Sequence, residues 1–237
     1  NTYGSVNFVD PTGIQLVPNK TIIDAPASFA LAYINYQYKD DDMAQIEQTK
    51  KLPVTLLQDP VYLKRLDCLT TTLPEETKTV SIYSLGERDA LVWGNNKYLI
   101  LAPTILLKKG TTSENLSTEL LNHRLTLYYL SAEGDEDANT LKLYLRYEIS
   151  GIGGSSTEET DDKESWASDY NVRYTNVSHV NLQPIISMYK STHSGSEPEK
   201  VTVEYEYNNS TSSIPTIAKK QTKTVTYNLY TETSSNN

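Results

Sequence analysis

Apolar and polar side chains take turns along much of this chain at the period of a β-strand. In "TLKLYLRYEI", Leu141, Leu143, Leu145 and Tyr147 fall on one side and Lys142, Tyr144, Arg146 and Glu148 on the other. "KVTVEYEY" opposes Val201, Val203, Tyr205 and Tyr207 to Thr202, Glu204 and Glu206, and "KTVTYNLY" sets Val225, Tyr227 and Leu229 against Thr224, Thr226 and Asn228. Successive strand side chains point to opposite faces, so each run reads as a strand with one face in a core. Less regular runs, "GSVNFV", "FALAYINYQY", "VTLL", "KTVSIY", "KYLILA" and "HRLTLYYL", read as further strands. Turn chemistry separates them: "DPTG" after Val9, "GNN" after Trp93, "EGDEDANT" before Leu141 and "YNNSTSS" beyond Tyr205. Two stretches have spacing compatible with short helices: 113–123, with Ser113 as cap and Leu116, Leu120 and Leu121 inward, and 40–51, "DDDMAQIEQTKK".

Composition strengthens the all-β reading. Tyrosine outnumbers the other aromatics, 18 against 2 Phe and 2 Trp, and its ring and hydroxyl suit sheets with one wet face. The polar segment 70–79, "TTTLPEETKT", separates a region of short strands from one dense in strands, which divides the chain into 1–78 and 79–237. Within the second part, "SGIGGSSTEETDDKESWASD" (150–169) reads as an exposed, mobile acidic Gly/Ser loop.

Charge narrows the partners. The net charge is −9, with seven basic against ten acidic residues in 1–80 and fourteen against twenty thereafter. Phosphate-backbone binding needs clustered Lys and Arg, so nucleic acid is disfavoured; Lys50–Lys51 and Lys219–Lys220 are too short to reverse that. No apolar run approaches the roughly 20 residues of a bilayer span. The opening "NTYGS" carries neither an initiator Met nor a signal h-region, and reads as a mature segment whose export signal or lipid-anchor cysteine lay upstream.

Candidate chemistry is sparse. Cys68 stands alone, so no internal disulfide forms, and beside Leu66 and Leu69 it reads as a small buried hydrophobe. His123, His179 and His193 have no metal-ligand spacing. "DEDANTLKLYLR" offers Asp135, Asp137 and Asn139 to calcium, but Thr140 replaces the required Gly and Arg146 the bidentate Glu. Asp40, Asp41 and Asp42 read as a solvated helix start. "GIGG" is not a dinucleotide loop, because Ser156 stands where its third Gly should be and an acidic tail follows. No nucleophile or nucleotide motif is present, and thirty acids offer no basis for choosing a glycosidase pair. The reading is therefore a non-enzyme without catalytic residues, metal ligands or cofactor. The residue singled out for ligand or partner contact is Trp166, which could stack on a sugar face together with exposed Tyr.

The stretch "SIYSLGERDALVWGNNKYLIL" resembles the start of the C-terminal domain of NigD-like proteins of Bacteroidetes: Leu-Gly-x-Asp, a short strand with Trp, a Gly-Asn turn, and Tyr-Leu opening the next strand. "VDPTGIQLVP", "FALAYINYQYKDD" and "PVTLLQDPVYL" before it, and "HRLTLYYL", "TLKLYLRYEISG", "NVSHVNLQPI", "KVTVEYEY" and "KTVTYNL" after it, follow the same succession. The first domain is abbreviated, and "RYEISGIGG" departs from the family's Arg-His-Asn-type strand ending. The resemblance implies an N-terminal OB-like small barrel followed by an immunoglobulin-like antiparallel β-sandwich. It also implies export as a cell-envelope lipoprotein with a protein or glycan partner, a suggested bacteriocin-immunity or surface-assembly role, and no catalytic residues.

Overall fold

The computed structural model describes residues 7–20, 22, 26, 29–94, 96–131, 139–153, 164–209 and 214–230. They divide into two compact units, 1–64 and 65–237. The all-β reading holds: strands dominate both units, and the longest described helix has ten residues. Residues 65–78 group with the second unit, because Asp67–Leu69 is hydrogen-bonded into its main sheet.

The first unit contains β1 (Phe8–Val9), β2 (Gln15–Pro18), β3 (Ala32–Tyr33), β4 (Tyr36–Gln37), α1 (Asp40–Met43), α2 (Ile46–Thr49), β5 (Lys51–Leu56) and β6 (Val61–Tyr62). The turn "DPTG" joins β1 to β2: Asp10 Oδ1 accepts from the Thr12 and Ile14 N–H groups at 2.8 and 2.9 Å, and Gly13 supplies φ +87°. Strand order is β1-β2-β5-β4, with β2 and β5 parallel, and the described sheets are open. In β5, Leu52, Val54 and Leu56 point inward and meet Phe8, Leu16 and Ile46 in a small core. The helix-compatible stretch 40–51 becomes two single turns, and Lys50 closes the second at φ +53°.

A two-residue strand, β7 (Lys64–Arg65), spans the division between the units. The second unit is built from β8 (Asp67–Leu69), β9 (Ala90–Trp93), β10 (Tyr98–Leu101), β11 (Thr104–Lys108), α3 (Leu116–Leu120), β12 (His123–Tyr128), β13 (Thr140–Ile149), β14 (Tyr170–Thr175), β15 (Ser178–Asn181), α4 (Gln183–Thr192), β16 (Lys200–Asn208) and β17 (Lys220–Asn228). The three strongest alternations form the heart of a five-stranded sheet, β17-β16-β13-β12-β8. Two of its four pairings, β13 with β16 and β12 with β8, run parallel, since alternation reports faces and leaves strand direction open. β10 lies between β9 and β15, and β11 pairs with β14. Leu99, Leu101, Ile105 and Leu107 from these strands share one core with Leu127, Leu141, Leu143, Val201 and Val203 of the large sheet.

Trp93 and Tyr98 face each other across the β9–β10 hairpin, with Gly94 and Asn96 at positive φ in its turn. "KTVSIY" is extended without being a regular strand. It enters where β13 and β16 part, with Val80 N–H donating to Tyr147 O at 2.8 Å and Ile82 N–H to Glu206 O at 2.9 Å. The helix at 113–123 shrinks to α3 with Asn115 as its cap; Leu116 and Leu120 pack inward, but Leu121 is 84% exposed, correcting its inward assignment. α4 lies outside the alternating pattern. Pro184 in its first turn and Ile185, Ile186 and Tyr189 on its buried face are the signals that mark it.

Candidate functional site

Charge on the second unit is gathered on the outer face of the large sheet. β13 and β16 run parallel with Leu143 beside Val203 on the core side, which puts Lys142, Arg146, Glu204 and Glu206 together on the opposite side. Arg146 Nη2 donates to Glu204 Oε1 at 2.8 Å, and its Nε lies 3.9 Å from Glu206 Oε1. Lys142 Nζ is 3.6 Å from Glu204, and Lys220 Nζ is 3.2 Å from Glu206. Lys220 also donates to the carbonyls of Glu76 and Thr79 at 2.6 and 2.8 Å, which fastens the segment leading into Val80. Burial pulls the Lys220 ammonium below its ordinary range, against the opposing pull of Glu206. Each charge in this ladder is answered by another, so its chemistry is that of a clasp.

A hollow of about 340 Å³ opens beside Lys220, lined by Asn209, Ala218, Lys219, Lys220 and Gln221. Next to it, Glu164 occupies a nest of donors: Thr216 Oγ1 at 2.6 Å, Ala218 N–H at 2.9 Å and the Ile217 N–H. Two residues on, Trp166 sits in the 3₁₀ turn Ser165–Asp169, half-buried against the core and edge-on to Tyr170 at 5.8 Å between centroids. Residues 154–163 of the loop read as mobile lie outside the described residues, as do Asp135 and Asp137. Gly153, part of "GIGG", takes φ +86° with the Thr77 carbonyl against the place where a Cβ would sit, so this glycine serves close backbone packing.

A second cluster is buried. His123 Nε2 lies 2.9 Å from Glu119 Oε1, and its Nδ1 lies 2.5 Å from the Tyr147 hydroxyl. The carboxylate only accepts, so Nε2 donates to it. Burial raises the Glu119 carboxyl, but hydrogen bonds from His123, the Lys108 N–H and Asn122, with the coulombic pull of His123, hold it below its ordinary range. Burial drives the Tyr147 hydroxyl well up. The His123 side chain is 1% exposed and the Glu119 side chain 14%, so this relay ties α3 to β12 and β13 and meets solvent at its carboxylate end. Burial likewise pushes the Cys68 thiol to about 12, and it keeps its proton at neutral pH. His179 and His193 belong to separate elements, and no group of three metal-ligating side chains lies together among the described residues.

The exposed apolar surface lies elsewhere. Six of the ten large apolar side chains that are exposed among the described residues, Val9, Tyr33, Tyr38, Met43, Leu57 and Val61, fall in the first unit. Three of them share one face. Tyr33 pairs with Val61 across β3 and β6, the Leu57 N–H donates to Asn35 O at 2.9 Å, and Gln37 pairs with Thr55 across β4 and β5. Ala32, Tyr36, Leu56 and Tyr62 take the alternate places and turn to the core. The outward pairs are therefore Tyr33–Val61 in one ladder and Gln37–Thr55 in another, with Asn35 and Leu57 joined by a single backbone hydrogen bond between them. "FALAYINYQY" suggested a strand, but its exposed face could not be read without the pairing register.

The fold and these clusters describe a two-unit all-β protein whose charged and histidine clusters are spent in internal ties. No protein-family model and no curated protein matches the sequence. Solved structures share the fold. A candidate lipoprotein from Bacteroides fragilis is 21% identical with a TM-score of 0.70, over 97% of this chain and 94% of that one. A protein of unknown function from Bacteroides vulgatus is 12% identical with a TM-score of 0.53, over 94% and 83%. A NigD-like immunity protein from Bacteroides caccae is 12% identical with a TM-score of 0.50, over 92% and 88%. The NigD-like resemblance thus holds at the level of fold.

Proposed function

We propose that this chain is a non-enzymatic, exported cell-envelope protein, anchored as a lipoprotein, that binds a macromolecular partner through the exposed face of its first unit. The observation that carries the reading is the concentration of exposed apolar side chains in the smaller unit, against a second unit whose polar groups are tied to one another. Fold likeness to a candidate lipoprotein and to an immunity protein supports the envelope setting and a bacteriocin-immunity type of role. No described helix is long and apolar enough to cross a membrane. The immobilised protein, incubated with an envelope extract, should retain one discrete protein or polysaccharide, and the variant Leu57→Lys/Val61→Lys should release it. Retention unaffected by that variant, or turnover of a defined substrate with nothing retained, overturns the reading.

A further inference from the structure

We infer that this outward strip on the first unit is a binding site for a neutral oligosaccharide, an inference that rests on the partner-binding reading and gives that partner a chemical class. Along the strip the chemistry is graded. The Tyr33 ring, 59% exposed, stands beside Val61 at 57%. Asn35 follows, level with Leu57, and then Gln37 level with Thr55. Asn19 extends the polar end, its Nδ2 donating to Thr55 Oγ1 at 3.2 Å. An aromatic face followed by two side-chain amides and a hydroxyl is what a pyranose asks for, since its C–H face is apolar and its rim is lined with donors and acceptors.

Three features choose this occupant. First, the strip bears no ionisable group except the tyrosine phenol, in a chain of net charge −9; Asp59, in the loop between Leu57 and Val61, is paired with Lys20 at 2.9 Å. A partner recognised by charge would find nothing complementary here. Second, size excludes a protein held by this strip alone. Tyr33 to Gln37 spans about 13 Å at about 3.3 Å per residue, and two strands are about 10 Å wide. The area, on the order of 130 Å², falls far below the roughly 800 Å² per partner of a stable protein interface, which also disfavours a second copy of this chain. A short oligosaccharide fits that length. Third, the two ends of the strip are built on paired strands and the inward neighbours Ala32, Ile34, Tyr36, Leu56 and Tyr62 are anchored in the core, so its groups are held in place before the ligand arrives.

The test is an array of neutral and acidic oligosaccharides probed with the full chain and with variants whose folds are checked by circular dichroism. Wild-type protein should bind neutral oligosaccharides with little dependence on salt. Tyr33→Ala should weaken binding at least tenfold, Asn35→Ala/Gln37→Ala severalfold, Tyr33→Phe little because the ring is kept, and Trp166→Ala not at all. Binding confined to acidic glycans, binding indifferent to Tyr33→Ala, or loss with Trp166→Ala alone overturns the site. So does concentration-dependent self-association that Val61→Lys abolishes, since the strip is then an interface between copies. An empty array with a protein still captured from envelope extract refutes the oligosaccharide and leaves the partner reading standing; an empty array with nothing captured removes both.

Discussion

Among the described residues, the core cluster of the first unit gathers six buried apolar residues around strands of two to six residues, while that of the second gathers 27 around strands of up to ten. A small unit has more surface for each buried side chain, so it leaves apolar groups outside and has less to hold it together. The second unit can afford to bury charge, because the ladder from Lys142 to Lys220 lies over a sheet already secured by its core. Stability and exposure are thus divided between the units: one resists unfolding, and the other presents surface.

The sharpest way to break this contrast is through the cores. Leu143→Ala, at a fully buried position, should cost about 3–5 kcal/mol in denaturant unfolding. Leu52→Ala should cost about 2–3 kcal/mol and speed amide exchange in residues 7–64 first. Equal exchange rates in both units of the wild-type protein would contradict the division. Next comes the clasp. Lys220→Met leaves Glu206 without its nearest cation and frees the carbonyls of Glu76 and Thr79, so a loss of about 3 kcal/mol is expected. A thermal midpoint unchanged by that substitution would show the ladder to be inert.

Glu119→Ala removes the acceptor of both His123 Nε2–H and the Lys108 N–H, and should cost about 2 kcal/mol at neutral pH. Its pH dependence has a definite sign. The folded carboxyl lies below its unfolded value of about 4.3, so its contribution is complete above that value and fades as pH falls through the folded one. The difference between variant and wild type should therefore shrink in acid; a difference that stays constant until the protein unfolds in acid would refute the relay.

Much of the second unit was legible in the sequence. Leu141 to Ile149 and Val201 to Tyr205 alternate so regularly that their core-facing residues follow from the period, but Tyr144, Arg146 and Glu206 on the opposite face are buried as well, which the period does not show. The hairpin around Trp93 and the Asp10 turn were legible for a different reason, since Gly, Asn and Asp carry their conformational preference locally. α4 escaped because its ten residues lie among strands, where a lone Pro and three apolar residues make a faint signal. Leu121 escaped because α3 ends before the apolar period does. Trp166 was prominent by residue type, whereas Tyr33, Asn35 and Gln37 look ordinary until their partners across the strands are known.

Alternation, turn residues and charge by themselves determined that this chain is all-β, that its strands have one face in a core, and that it is net negative. Those properties depend on neighbours in sequence, or on sums that ignore position. Tertiary structure alone decided that β13 and β16 run parallel, that Glu119, His123 and Tyr147 form one relay, and that Tyr33–Val61 and Gln37–Thr55 share an outward face of the first unit. Each of these joins side chains brought together by strand pairing, and a register shift of one residue would have turned every one of them to the other side.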